Sequence, residues 1–454
     1  MKSLDQVAQQ VNQVSPSFCA AKWKQVTIHL QNGHTHSCHH PDTHLVPLSE
    51  IKMNPGALHN TQHKKELRKQ MLEGVRPSEC DYCWRVEDSG TNQHSDRIRK
   101  SATQWALPYI QDIVSKPWDD NVDPSYVEVS FSSVCNFKCS YCAPHISSKW
   151  MEEIEQYGEY PTSSKFNGLQ WIKEVGKMPR PNREDNPYVE AFWKWWPTMY
   201  TSLQQFRITG GEPLLAKDTF KVLDYIIANP NPNLEVSINS NLCVPPELFD
   251  RFVDKLKNIT ENRLLKKIQV FTSCEAWGSG AEYIRHGMDY QQWLANVNRL
   301  FLEVPNIYVT VMSTYNLLSL PSYTRFLEDI LAIKQANNRT HRSGNMWLDI
   351  PYLRYPTHQA VFIADPTMLH YIEESIQFME NNSNHHGERG FHPAEIDGLK
   401  RTRDVLLQCR EDEYTTVNRR DFIIFVDEHD RRRGTSFLAT FPEFEHTYRL
   451  WSQL

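Results

Sequence analysis

The chain has 454 residues, 40% hydrophobic and 23% charged, with a formal net charge of −6. That is ordinary globular composition, long enough for two domains, and its acidic balance gives no general pull toward nucleic acid or an anionic membrane, although a local basic groove stays open. No run of about 18 apolar residues predicts a membrane-spanning helix, and the polar opening Met1-Lys2-Ser3-Leu4-Asp5 lacks a signal peptide's apolar stretch, so the expected location is the cytoplasm.

Residues 1–100 are rich in Cys, His and Asn and predict one amphipathic helix, at 63–73. They carry Cys19, Cys38, Cys80 and Cys83. His34, His36, His39, His40 and His44 crowd around Cys38, either as a solvated polar loop or with one of them as a ligand. A polar connector follows from 91, and 101–124 reads as a linker. From 125 the pattern changes. Short β-branched or aromatic runs at 126–132, 205–210, 234–240, 267–273, 307–313 and 346–352 predict buried parallel strands. Between them, 217–228, 246–256, 290–303 and 322–335 predict helices. Strand–helix alternation over 125–360 predicts an α/β barrel or open parallel sheet, with chemistry at the C-terminal ends of the strands.

An insertion at about 146–204 holds Phe192, Trp193, Trp195 and Trp196, either a substrate wall or a helix packed on the strands. A surface loop is expected at 381–392. Residues 361–454 read as a mainly helical extension with one apolar run, 422–426. There Arg431, Arg432 and Arg433 stand among Glu428 and Asp430, which predicts a solvated charge cluster.

The ten cysteines do not read as a disulfide framework, because seven fall into two groups. In a reducing cytosol, grouped cysteines suggest metal ligands. Cys135, Cys139 and Cys142 follow the first strand run with C-x3-C-x2-C spacing, and Tyr141 precedes the last. Three thiolates can hold three irons of a 4Fe–4S cube and leave the fourth open for a ligand. Structural zinc normally closes with four ligands. The second run ends in Gly210, Gly211, Glu212 and Pro213. Glycines there let backbone approach a ligand, and a glutamate could receive an ammonium group. Cys274 could donate a hydrogen atom to a substrate radical or be a buried structural thiol.

Together the two motifs resemble those of the radical S-adenosylmethionine superfamily. The resemblance implies a partial (βα)6 barrel over 125–360. Cys135, Cys139 and Cys142 would hold a 4Fe–4S cluster whose open iron chelates S-adenosylmethionine, with Tyr141 in the cluster loop. Gly210, Gly211, Glu212 and Pro213 would meet the methionyl ammonium. Asn239, in a polar run at the third strand's end, would lie near the cofactor. Ser273 and Arg285 would bind the methionyl carboxylate, for which an arginine has bidentate geometry.

Cys19, Gly33 and Cys38 give C-x13-G-x4-C, and Cys80 and Cys83 add a C-x2-C pair. This resembles the auxiliary-cluster segment of twitch and SPASM radical enzymes, but here it precedes the barrel. It implies a second 4Fe–4S cluster, with a four-cysteine zinc site as the alternative. The implied reaction is reductive cleavage of S-adenosylmethionine to a 5′-deoxyadenosyl radical, which takes a hydrogen atom from the substrate. A ferredoxin or flavodoxin would supply the electron, and the auxiliary cluster would accept one from the substrate. The expected outcome is oxidative modification of a peptide or protein. The alternatives are a small-molecule dehydrogenase or epimerase, acting on a sugar or amino acid derivative, and a non-catalytic metal-binding module.

Overall fold

A computed structural model of the chain describes residues 2–90, 93–181, 185–337, 346–385 and 389–454. Parts of the expected connector (91–92), insertion (182–184) and surface loop (386–388) lie outside the described residues. The described strands are β1 (Gln25–His29), β2 (His34–His36), β3 (His44–Leu45), β4 (Tyr126–Ser130), β5 (Lys138–Cys139), β6 (Gln205–Thr209), β7 (Asn231–Asn239), β8 (Leu265–Ser273), β9 (Arg285–His286), β10 (Tyr308–Met312) and β11 (Met346–Asp349). The chain divides by packing into two units. The first is Met1–Ser132, Gly176–Pro213 and Asn231–Ser237; the second is Ser133–Val175, Leu214–Pro230 and Ile238–Leu454.

In the first unit β1 runs parallel to β4 along its whole length, and β4 parallel to β6. β2 turns back antiparallel on β1, and β3 on β2. Glu235 N donates to Gln204 O at 2.9 Å, which brings the first part of β7 alongside β6. The strand order is β7-β6-β4-β1-β2-β3. Side chains alternate between the two faces of a strand. One face therefore collects Val26, Ile28, Val127, Val129, Phe206, Ile208, Leu234 and Val236, all buried. Helix Pro187–Tyr200 packs its rings against these strands: Trp196 lies 4.9 Å from Phe206, and Phe192 5.1 Å from Phe131, between ring centroids. Phe192, Trp195 and Trp196 are buried, the packing role among the two open for this group.

The Cys-rich N-terminal residues do not form a discrete segment. β1 is part of the sheet, because Val26 and Ile28 extend the apolar face and the Asn32-Gly33 turn folds β2 back onto it.

In the second unit β8, β10 and β11 are parallel, and Ser240 N donates to Phe271 O at 2.8 Å beside the end of β7. Helices Pro246–Glu261, Tyr290–Glu303 and Tyr323–Asn337 alternate with these strands and bury one apolar stripe each. Helices Leu369–Asn381, Pro393–Leu407 and Glu413–Arg433 form most of the C-terminal region. What is observed is coarser than the expected partial barrel: an α/β fold with a mixed sheet and extensive C-terminal helices, and no strand closure among the described residues. No described helix is long and apolar enough to cross a membrane.

Candidate functional site

The second unit holds the cysteine loop. Short β5 pairs antiparallel with β9, placing Cys139 opposite Arg285. Ser140 N donates to Ile284 O at 2.7 Å. Gly287, at φ +107°, lets the loop lie close: a Cβ there would stand 2.8 Å from Asn136 O. Distant side chains satisfy the loop's backbone carbonyls. Trp150 Nε1 donates to Cys139 O at 2.7 Å, Ser147 Oγ to Phe137 O at 2.9 Å, and Arg433 Nη1 to Lys138 O at 2.6 Å. Gln359 Nε2 donates to Ser140 O at 3.1 Å and its Oε1 accepts from Ser140 Oγ at 2.7 Å. Asn241, just past β7, donates to Asn136 Oδ1 at 2.8 Å.

No cysteine is in a disulfide. Cys135, Cys139 and Cys142 are near enough that the other two sulfurs, after burial, push the Cys142 thiol up. Phe137 N donates to Cys135 Sγ at 3.4 Å, and Arg285 Nη1 to Cys139 Sγ at 3.7 Å. Such donors suit sulfurs that carry negative charge as thiolate ligands.

Arg285 also donates to Tyr141 Oη, and its Nε to Glu275 Oε2 at 3.0 Å. Burial works against its charge, and Glu275 more than restores it. The structure thus brings Cys135, Cys139, Tyr141, Cys142 and Arg285 together, with the arginine already paired to a buried carboxylate. Glu275 gave no signal in the sequence beyond following Cys274. Ser273 ends β8 opposite Met312, and Asn239 ends β7, both half-buried. Cys274 is fully buried, and its thiol donates to Ala276 O at 3.3 Å.

Arg431 is exposed and paired with Glu428, as a solvated cluster requires. Arg432 and Arg433 correct that expectation, with side chains 1% and 0% exposed. Arg433 is bound to Glu153 at 3.0 and 3.1 Å, and Lys138 reaches the same carboxylate at 2.7 Å.

The glycine motif lies in the first unit. Gly210 has φ +133°, and a Cβ there would stand 2.8 Å from Ser132 O and 2.9 Å from Ser130 Oγ. Gly211 N donates to Ser132 O at 3.1 Å. Glu212 is 2% exposed, and Pro213 opens a short turn, Pro213–Leu215.

The same unit gathers the other four cysteines. Cys19, Cys38, Cys80 and Cys83 line one cavity with Lys22, Asp96, Arg97 and Lys100. Burial, then Cys38, pushes the Cys19 thiol up. Burial brings Cys80 to about 12 against the pull of Lys22, and Cys83 to about 12 with Cys19 adding. Lys22, itself buried, is ion-paired to Glu79. The four thiols act on one another, with Lys22 and Arg97 pulling against the rise of Cys19. No group of three or more His, Cys, Asp or Glu among the described residues is placed to hold a metal ion. His34 and His36 are buried in β2, burial lowering His36 to about 3, and His34 bonds Thr43 at 2.9 Å, while His39 is exposed; the histidine run is partly buried rather than wholly a solvated loop.

No family model matches the chain. Several curated proteins do, over short stretches. The GTP 3′,8-cyclase of Nautilia profundicola is 28% identical over 116 residues, 26% of this chain and 27% of that protein. The GTP 3′,8-cyclases of Pasteurella multocida and Klebsiella pneumoniae are 31% and 28% identical over 105 residues, 23% of each chain. The chain thus spans about a quarter of the length of these relatives. The homology is distant and partial. It supports membership of the radical S-adenosylmethionine superfamily. It supports no narrower assignment.

Proposed function

We propose that the chain is a radical S-adenosylmethionine enzyme acting on a small molecule, with a second, auxiliary iron–sulfur cluster. The observation that carries this reading is the cysteine loop. Three mutually acting thiols are held by carbonyl-directed bonds from Trp150, Ser147, Gln359 and Arg433, with Arg285 and Tyr141 beside them. Cys135, Cys139 and Cys142 would hold the first cluster; Cys19, Cys38, Cys80 and Cys83 the second. In the second unit Asn239, Ser273 and Arg285 would meet S-adenosylmethionine; for Gly210, Gly211, Glu212 and Pro213 of the first unit that role rests on the motif resemblance alone. When bound, cluster and cofactor supply one-electron cleavage of the sulfonium and removal of a substrate hydrogen atom.

The chain's own residues do the rest. Arg285 keeps a positive charge against Cys139 Sγ, and the Glu275 carboxylate fixes its direction. The bonds to the loop carbonyls hold the three sulfurs in place and leave no loop carbonyl among those named to compete for water. A small-molecule substrate is favoured over a peptide because the curated relatives are named for acting on GTP, a small molecule. Oxidative peptide modification rests on the twitch and SPASM resemblance alone. A ferredoxin- or flavodoxin-like donor is the partner this chemistry needs.

The test is iron content and 5′-deoxyadenosine formation by anaerobically reconstituted protein, wild type beside a variant with Cys135, Cys139 and Cys142 all replaced by Ala. About eight irons in the wild type, about four in the variant, and cofactor cleavage only in the wild type are expected for two cubes. A variant with zinc and no iron overturns the auxiliary-cluster role. A wild type that holds iron but never cleaves the cofactor overturns the enzyme reading.

A further inference from the structure

Arg285 is the centre of a buried contact set that lies wholly in the second unit. It follows helix Gly278–Ile284 and opens β9, opposite Cys139. Its Nε and Nη2 both donate to Glu275 Oε2, at 3.0 and 2.5 Å. Its Nη2 also donates to Tyr141 Oη, and its Nη1 to Cys139 Sγ at 3.7 Å. The side chains of Arg285 and Glu275 are 7% and 0% exposed. A guanidinium carries five N–H groups in a planar fork. One edge of this fork is closed by the carboxylate, and the other faces a sulfur and a phenol. That corrects the expected bidentate grip on a methionyl carboxylate: the bonds already made leave at most one N–H for it.

An ion pair that only ties two elements together needs the guanidinium and the carboxylate. Here the second edge of the guanidinium is turned on a sulfur that the proposed function makes a cluster ligand. The donors to the sulfurs also differ in kind. Cys135 Sγ accepts from a neutral backbone amide, Phe137 N, at 3.4 Å, whereas Cys139 Sγ accepts from a group with a full positive charge. Hydrogen bonds and charge at the sulfurs help set the potential of an iron–sulfur centre, and a positive charge favours the form that holds the extra electron. Burial strengthens the effect, since little water screens it. The other cations of the loop are arranged differently. Arg433 and Lys138 share the Glu153 carboxylate, and Arg433 meets the loop at a carbonyl, Lys138 O.

We propose that Arg285 raises the reduction potential of the centre held by Cys135, Cys139 and Cys142, acting through Cys139 Sγ. Glu275 is its positioning residue: it aims the guanidinium, and its negative charge limits the rise. The proposal rests on the proposed function for the presence of that cluster, and not for cofactor cleavage.

The test is a redox titration of the full-length, anaerobically reconstituted protein, followed by electron paramagnetic resonance. It is run without S-adenosylmethionine, so that cofactor contacts do not enter. The signal missing from the variant with Cys135, Cys139 and Cys142 all replaced by Ala identifies the centre. Arg285→Gln is expected to make that centre harder to reduce, by tenfold or more in the one-electron equilibrium, or about 59 mV. Arg285→Lys is expected to restore part of the shift. Glu275→Gln keeps an acceptor for the guanidinium but drops the negative charge, and is expected to make the centre easier to reduce. Opposite signs from the two partners separate tuning from support, because loss of a merely structural contact moves both the same way. Iron content and circular dichroism show whether each variant loads and folds. If Arg285→Gln does not load, the sign for Glu275→Gln decides. An unmoved potential in Arg285→Gln, or a fall or no change in Glu275→Gln, overturns the proposal. Cofactor cleavage is measured separately on the wild type. Cleavage with no such shifts leaves the radical reading standing and this one fallen; opposite shifts without cleavage do the reverse, and a wild type without the signal overturns both.

Discussion

Gly210 has no room for a side chain. At φ +133° with Ser132 O and Ser130 Oγ under 3 Å from any Cβ, Gly210→Ala must shift the end of β6 or the start of the loop after β4. The expected cost is about 1–3 kcal/mol, in the range of other strained backbone positions. Thermal melting reads that cost, and S-adenosylmethionine titration reads whether the motif after it is displaced; an unchanged melting temperature would show that the backbone gives way freely. The residue types of this motif and of the cysteine triplet were visible in the sequence because their spacing is local. Glu275, Trp150 and Gln359 were not. Each acts on the triplet through contacts that only the fold creates, Gln359 across 219 positions from Ser140.

At the scale of elements, the parallel strands from 126 onward were legible, since β-branched runs separated by amphipathic helices leave few alternatives. Helices Lys217–Ala228 and Tyr290–Glu303 have the expected bounds, and Pro246–Glu261 runs one turn and more beyond its expected end. β1 to β3 were missed. Their local signal was present in the alternation of Val26 and Ile28 and in Asn32-Gly33, a strong hairpin pair, but the surrounding Cys and His suggested a metal loop instead. Elements of the second unit are tied by a fully buried pair: Lys334 Nζ in helix Tyr323–Asn337 meets Glu395 Oε1 at 2.9 Å in helix Pro393–Leu407. The same carboxylate accepts from Leu348 N in β11 at 2.6 Å. Lys334→Met strands a buried carboxylate, and the expected loss is about 3–5 kcal/mol in denaturant unfolding. Replacing both partners with apolar residues is expected to recover part of it; a double variant worse than the single would contradict this account.

At the scale of the whole molecule, the C-terminal helices are part of the site's support. Arg433 binds both Glu153 and the cysteine loop, a role that a run of three arginines beside acidic residues did not reveal. Burial alone would raise the Glu153 carboxyl, but Arg433, Lys138 and Tyr160 outweigh it and hold the group at about 2, against an ordinary 4.5. A depressed carboxyl stabilises the fold above its ordinary range, and that contribution fades as pH falls from about 4.5 toward about 2. Melting curves across this window are expected to fall more steeply for the wild type than for Glu153→Gln, and parallel curves would count against the clamp.

The clamp also has a place in time. Lys138 and the Arg433 that closes on it are 295 residues apart. A ribosome adding roughly 5–20 residues per second needs roughly 15–60 s to cover that distance. Throughout that interval the nascent chain carries its three thiols in a loop that lacks its final anchor. On the proposed function, cluster loading would follow synthesis of the C-terminal helices. Ribosome-bound chains arrested before residue 433 should react fast with a thiol reagent, and chains arrested well beyond it slowly; equal rates would show that the loop closes without the arginine.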